Sequence, residues 1–267
     1  MAFDLRFIPE RRHESRNNLK TKRTLASLRR FLPSLVVFAV ATGLGVRLFL
    51  LISKYSVNLP FWDQRDLHRA LFEKAPLWRL FLWQHGPHRQ GIGFVLDKFL
   101  FELTDWSTRA EAFFIGGVIF IAMLLALLLK RKLFGGSLGT SDALIPMIFL
   151  TPAQWETFIV APNPSLAAFP LLLIMLYCLA WLQANPLKKY GTVLLLNLFL
   201  IYTGFGLFIG LITVAHLALE CFKGSRREAR LSAAPALALI LGVGSFFSFF
   251  LDYTWNPAVD CFSFPHP

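Results

Sequence analysis

Residues 31–52 form a run of about twenty predominantly apolar side chains, with Arg47 its only charge, long enough as a helix to cross a hydrocarbon core about 30 Å thick. Comparable runs recur at residues 113–129, 166–182 and 231–251. Apolar residues make up 55% of the chain and charged residues 16%. A soluble domain of this length carries more charge than that, so the pattern predicts an all-α polytopic membrane protein.

Two stretches need arbitration. Residues 143–161 carry a short apolar run followed by Pro152, Gln154 and Glu156, and residues 190–222 are too long for one ordinary crossing, with Gly204 and Gly206 near the middle. Short cytoplasmic loops collect Lys and Arg, which decides between the options. Nine basic residues lie in positions 1–30, and further clusters stand at 130–132, at Lys188 and Lys189, and at Lys223, Arg226, Arg227 and Arg230. All fall on the inner side only if 143–161 crosses once and 190–222 crosses twice. The expectation is therefore about seven transmembrane helices, N-terminus inside and C-terminus outside. On that reading 18 of the 27 basic residues are inside, and the outer segments hold ten acids against eight bases. The net charge of +11 is then orientation signal and attraction to anionic headgroups. Split among short loops, it makes no continuous surface for nucleic acid.

The resulting division is a basic cytoplasmic arm over 1–30, a membrane domain over 31–252 containing an outer loop at 53–111, and an outer tail over 253–267. No cleavable secretory pattern is expected at the N-terminus. Cys178, Cys221 and Cys261 imply neither a structural disulfide nor a metal motif. No internal repeat or Gly-rich phosphate loop is present.

The outer loop concentrates the chemistry. Leu67, Ala70, Leu71, Leu77, Trp78, Phe81 and Leu82, and then Val95, Leu96, Phe99, Leu100 and Leu103, recur near helical spacing. They predict two amphipathic helices lying on the membrane surface, with Trp62, Trp78, Trp83 and Trp106 as interfacial anchors. Gly86, Pro87 and Gly91 predict a turn that displays His85, His88 and Arg89. Opposite it stand Asp63, Asp66 and His68. Solvated loop charges are one reading of these clusters. The other is a site in which a carboxylate takes a proton from a hydroxyl while His and Arg hold a phosphate, since a general base must be ionised and guanidinium suits phosphate. A divalent metal held by Asp63, Asp66, His85 and His88 is chemically open, though no spacing is diagnostic and no cofactor is expected. Gln154 and Glu156 near the outer end of a crossing, and Arg47 near the outer end of the first helix, are further candidates; an ionisable group at membrane depth faces a polar interior or snorkels.

The order Trp62-Asp63-Gln64-Arg65-Asp66, then Gln84-His85-Gly86-Pro87-His88-Arg89, then Pro152-Ala153-Gln154-Trp155-Glu156 resembles the bacterial membrane-embedded glycosyltransferases of the C-type fold, over roughly residues 31–255. The chain departs from that pattern at Gly86-Pro87, at Phe158-Ile159-Val160-Ala161-Pro162-Asn163, and in ending soon after the expected seventh crossing, as a truncated relative or half of a split system would. The resemblance implies transfer of a sugar from a polyprenyl-phosphate donor to a glycan, lipid or protein acceptor at the outer (periplasmic) face of the bacterial inner membrane. It makes Asp63 or Asp66 the general base and gives the donor phosphate to His85, His88 and Arg89, with Gln154, Glu156 and Arg47 as substrate-binding residues. A catalytically inactive subunit binding lipid or a partner is the alternative; a transporter fits less well, because the polar residues gather on one outer surface.

Overall fold

The computed structural model describes residues 10–166, 168–204, 206–224 and 233–255, and among these the chain is almost wholly helical. Helix α1, Glu10–Tyr55, runs unbroken for 46 residues, about 69 Å, through the basic segment into the first apolar run. Helix α6, Thr108–Phe134, is the second long element. Ser107 caps its N-terminus by accepting from the Ala110 N–H at 3.2 Å, and Arg131 and Lys132 sit in its last turn, where cations oppose the helix dipole. The apolar part of α1, Phe31–Tyr55, and the whole of α6 are long and apolar enough to cross a membrane, with mean hydropathies of 2.4 and 2.9. Only 28% and 44% of those windows are buried, so neither is wrapped as a soluble core helix would be. Leu35, Phe38, Val46 and Leu50 face outward along α1, which suits hydrocarbon and not water.

The remaining apolar helices are shorter: α8 (Ala168–Trp181), α9 (Pro186–Ile201), α10 (Gly206–Gly224) and α11 (Ala233–Ser248). The break expected in 190–222 falls between Tyr202 and Gly206, so this stretch does form two helices. They pack on each other and on α8 and α11. A hydrogen-bonded chain pins the four together: Tyr177 hydroxyl to Thr213 at 2.8 Å, Thr213 donating to Asn197 at 2.7 Å, and the Asn197 amide donating to Ser245 at 2.8 Å. Asn197→Leu is expected to cost only about 1 kcal/mol, because Thr213 keeps a bond to the Ile209 carbonyl and Ser245 one to Gly242, and interhelical bonds of this kind average about 0.6 kcal/mol. Equilibrium unfolding in mixed micelles would measure it.

Residues 143–161 do not form the continuous helix expected of them. A 3-10 turn, Thr140–Ala143, leads into the six-residue α7, Leu144–Phe149, then a second 3-10 turn, Pro152–Gln154, and a π-turn, Glu156–Val160. Proline is the cause: Pro152 has no N–H to give, and Thr151 before it is extended at φ −66°, ψ 137°.

The outer loop also departs from expectation. Its first surface helix is three short pieces, α2 (Gln64–Leu67), α3 (Arg69–Phe72) and α4 (Leu77–Phe81), interrupted by the left-handed Lys74 and by Pro76. A hairpin follows, β1 (Gln84–His85) against β2 (His88–Arg89), with Gly86 supplying the positive φ of its turn. Helix α5, Gly91–Thr104, forms where the second surface helix was expected: Gly93, Phe94, Asp97 and Phe101 are buried against the rest of the loop, while Phe99 and Leu103 are exposed. Phe94, Phe101, Leu67, Ala70, Leu71 and Leu80 make a small core of the loop's own.

Candidate functional site

Asp63 and His85 meet. The hairpin places the His85 ring so that Nε2 lies 3.0 Å from Asp63 Oδ2. The Asp63 side chain is 66% exposed and that of His85 25%, so the pair is open to an incoming molecule. An exposed contact of this kind contributes about 0–1 kcal/mol to stability. Trp62, immediately before it, is held in the left-handed region at φ 57° with its indole outward, a conformation that costs a non-glycine residue about 1–3 kcal/mol.

Gln64, which the sequence reading passed over, fixes this turn. Its buried side chain accepts from the Phe61 N–H at 2.8 Å and donates to the Pro162 carbonyl at 3.0 Å. The acidic turn is thereby tied to the segment that follows Glu156. No local signal marks such a role, because the partner lies 98 residues on.

The other candidates scatter. Asp66 is exposed and makes no side-chain contact to the pair. His68 is buried, its ring stacked on Phe94 and edge-on to Phe101. Burial first, and then the neighbouring His85, press its pKa down to about 4 against the smaller opposing pull of Asp63. His88 is half-buried and hydrogen-bonded to the Gly204 backbone; burial lowers its pKa, and that bond acts against the shift. Gln154 and Glu156 are exposed, and among the described residues neither makes a polar contact to Asp63 or His85. Arg47 is exposed on α1, eight residues and about 12 Å before its end.

Arg89 corrects the expectation of a displayed phosphate ligand. It is 2% exposed. Its Nε and one terminal nitrogen donate to the Phe249 carbonyl at 3.3 and 3.1 Å, and further bonds go to the carbonyls of Leu82 and Leu251. The guanidinium lies against the rings of Phe249 and Tyr253. Four of its five donors are thus committed to backbone, and burial lowers its pKa. Arg89 fastens the hairpin to the segment after α11. Beside it Gln84 bonds Thr254 in both directions and the Tyr253 hydroxyl donates to the Pro87 carbonyl.

Among the described residues no three His, Cys, Asp or Glu side chains gather to hold a metal ion. A groove of about 350 Å³ between α3 and α5, walled by Lys74, Lys98 and Trp106, does not include the pair. Comparison with family models, with curated proteins and with solved structures returns no match to this chain.

Proposed function

We propose that the chain is a membrane glycosyltransferase of the C-type fold, moving a sugar from a polyprenyl-phosphate donor to an acceptor hydroxyl at the outer face of a bacterial inner membrane. Helices α1, α6 and α8–α11 and the broken segment 140–161 would make its seven crossings. The observation that carries the reading is the exposed Asp63–His85 pair, joined at 3.0 Å beside the strained Trp62. Asp63 takes the proton from the acceptor hydroxyl as that oxygen attacks the anomeric carbon, and polyprenyl phosphate leaves with inversion. His85 holds the carboxylate and spreads the incoming positive charge, as an orienting partner does in other carboxylate–imidazole pairs. With Arg89 committed to backbone, the phosphate falls to His85 and His88.

The test is transfer itself, with the full chain in nanodiscs, a polyprenyl-phosphate sugar as donor and release of polyprenyl phosphate as the readout. Asp63→Asn is expected to lower the rate about 10²–10⁴-fold with the protein still inserted, the range a positioned base contributes. Full activity in the variant would remove Asp63 from the role. A second reading, an inactive subunit that binds lipid or a partner, is favoured by one feature: Gln154 and Glu156 stay apart from the pair. Native mass spectrometry of the nanodisc sample, showing bulk phospholipid in place of any polyprenyl lipid, would support it.

A further inference from the structure

Beneath the exposed pair, the outer loop buries more acid than it neutralises. Asp97 on α5 is 2% exposed and Glu111 in the first turn of α6 is 0% exposed. Among the described residues, Asp97 Oδ1 and both carboxylate oxygens of Glu111 have no hydrogen-bond partner, and the two side chains are close enough for Asp97 to act on Glu111 electrostatically. The cations on the surrounding elements are engaged elsewhere. Lys98 pairs with Glu102, Arg109 donates to Ser53, and Lys54 lies over the ring of Tyr55. Arg47 on α1 and Arg79 on α4 are exposed, as is Glu156 on the π-turn packed against α6. Two neighbouring carboxyl groups removed from water and given no counter-ion cannot both remain ionised.

A third buried group, His68, packs on the same helix. The His68 ring centre is 6.1 Å from that of Phe94 and 5.1 Å from that of Phe101. Phe94, Asp97 and Phe101 follow one another at three and four residues on α5, which puts them on one stripe of the helix. The imidazole therefore lies over the stripe that holds Asp97, and its Nε2 is buried without a partner. On its other side His68 interacts electrostatically with His85 and Asp63. Exposure falls along this set: the Asp63 side chain is 66% exposed and that of His85 25%, while His68, Asp97 and Glu111 are buried.

We propose that Asp97 and Glu111 form a proton-binding site, one proton shared between two carboxyl groups, which exchanges with the outer solvent through His68 and the Asp63–His85 pair. Uptake of one proton takes the two carboxyl groups from a combined charge of −2 to −1. The proton comes from water at the loop surface. Neutral imidazole passes it on by accepting at one ring nitrogen and releasing from the other, and is reset when the ring reorients. The site does not depend on the transfer reading, since any protein with this buried pair must settle where the proton resides.

Infrared spectroscopy of the full chain in nanodiscs at pH 7 tests it directly. The wild type is expected to show the carbonyl stretch of a protonated carboxyl, shifted in frequency in both Asp97→Asn and Glu111→Gln, since each removes one partner of the shared proton, and lost when the two are combined. A wild-type spectrum with carboxylate bands alone would overturn the proposal without reference to any variant, as would a band that stays at the wild-type frequency in both single variants or survives in the double variant. His68→Phe keeps an aromatic ring between Phe94 and Phe101. It is expected to retain the band but slow its hydrogen–deuterium exchange on the order of a hundredfold, the low end of what a positioned proton-transfer group contributes. Exchange at the wild-type rate would overturn the route through His68.

Discussion

Arg89→Ala is expected to lower stability by about 3 kcal/mol, because the carbonyls of Leu82, Phe249 and Leu251 lose their donor at about 1–3 kcal/mol each, offset in part by no longer burying a cation. The loss is directional. With the guanidinium gone, the hairpin keeps only Gln84–Thr254 and Tyr253–Pro87 to hold the segment after α11, and these bonds are exposed. A lower melting temperature and faster proteolysis after residue 248 would be seen together. Arg89→Lys recovers little, since one ammonium cannot span carbonyls reached by three separate guanidinium nitrogens. The same variant separates two roles for this residue. Normal stability combined with loss of a bound phospholipid would mean that the guanidinium serves phosphate after all.

The contrast with the sequence reading shows where local pattern stops informing. Two helices long and apolar enough to cross a membrane were legible because α1 and α6 need only length and hydropathy, and the break near Gly204 was legible because a 33-residue apolar stretch exceeds a bilayer. The hairpin turn followed from Gly86 and Pro87. That Asp63 and His85 share a surface followed from loop order, but their contact did not, since 22 residues separate them. Arg89 misled for the same reason on a larger scale: two of its three carbonyl partners lie 160 and 162 residues away, and nothing near it in sequence marks it as buried. Residues 143–161 were assigned one crossing from the placement of the basic clusters, a signal that does not register how Pro152 stops the helix.

Helix α5 has a second, buried face that its apolar periodicity does not announce. Apolar periodicity locates a helix's apolar side and, in water, that side is the buried one. Here Phe99 and Leu103 point out, while Asp97 points in with Phe94 and Phe101. An apolar stripe turned outward fits contact with lipid, and an acid turned inward is where membrane proteins keep ionisable groups. The sign of the environment has to be known before the pattern can be used.

His68 and Asp97 set opposing dependences of stability on pH, and variants should expose each in turn. His68 titrates at about 4 in the folded chain and near 6.5 unfolded. As pH falls from about 6.5 towards about 4 the unfolded state binds the extra proton, so the stability His68 gives above that window is lost across it, to a total of about 3 kcal/mol. Asp97 acts with the reverse sign. Burial raises its pKa well above the ordinary carboxylate value, so the folded chain holds the extra proton and stability falls as pH rises above about 3.8. Between pH 4 and 6.5 the His68 slope, about 1.4 kcal/mol per pH unit where only the unfolded chain is protonated, is opposed by that of Asp97. His68→Phe should therefore gain about 3 kcal/mol on the wild type between pH 6.5 and pH 4, while Asp97→Asn loses relative to the wild type over the same interval. Melting curves of the three proteins across that range measure both differences, and groups common to all three cancel. A His68→Phe curve parallel to the wild type would mean that the imidazole is protonated where it lies, which a ring stacked between Phe94 and Phe101 and given no acceptor does not allow.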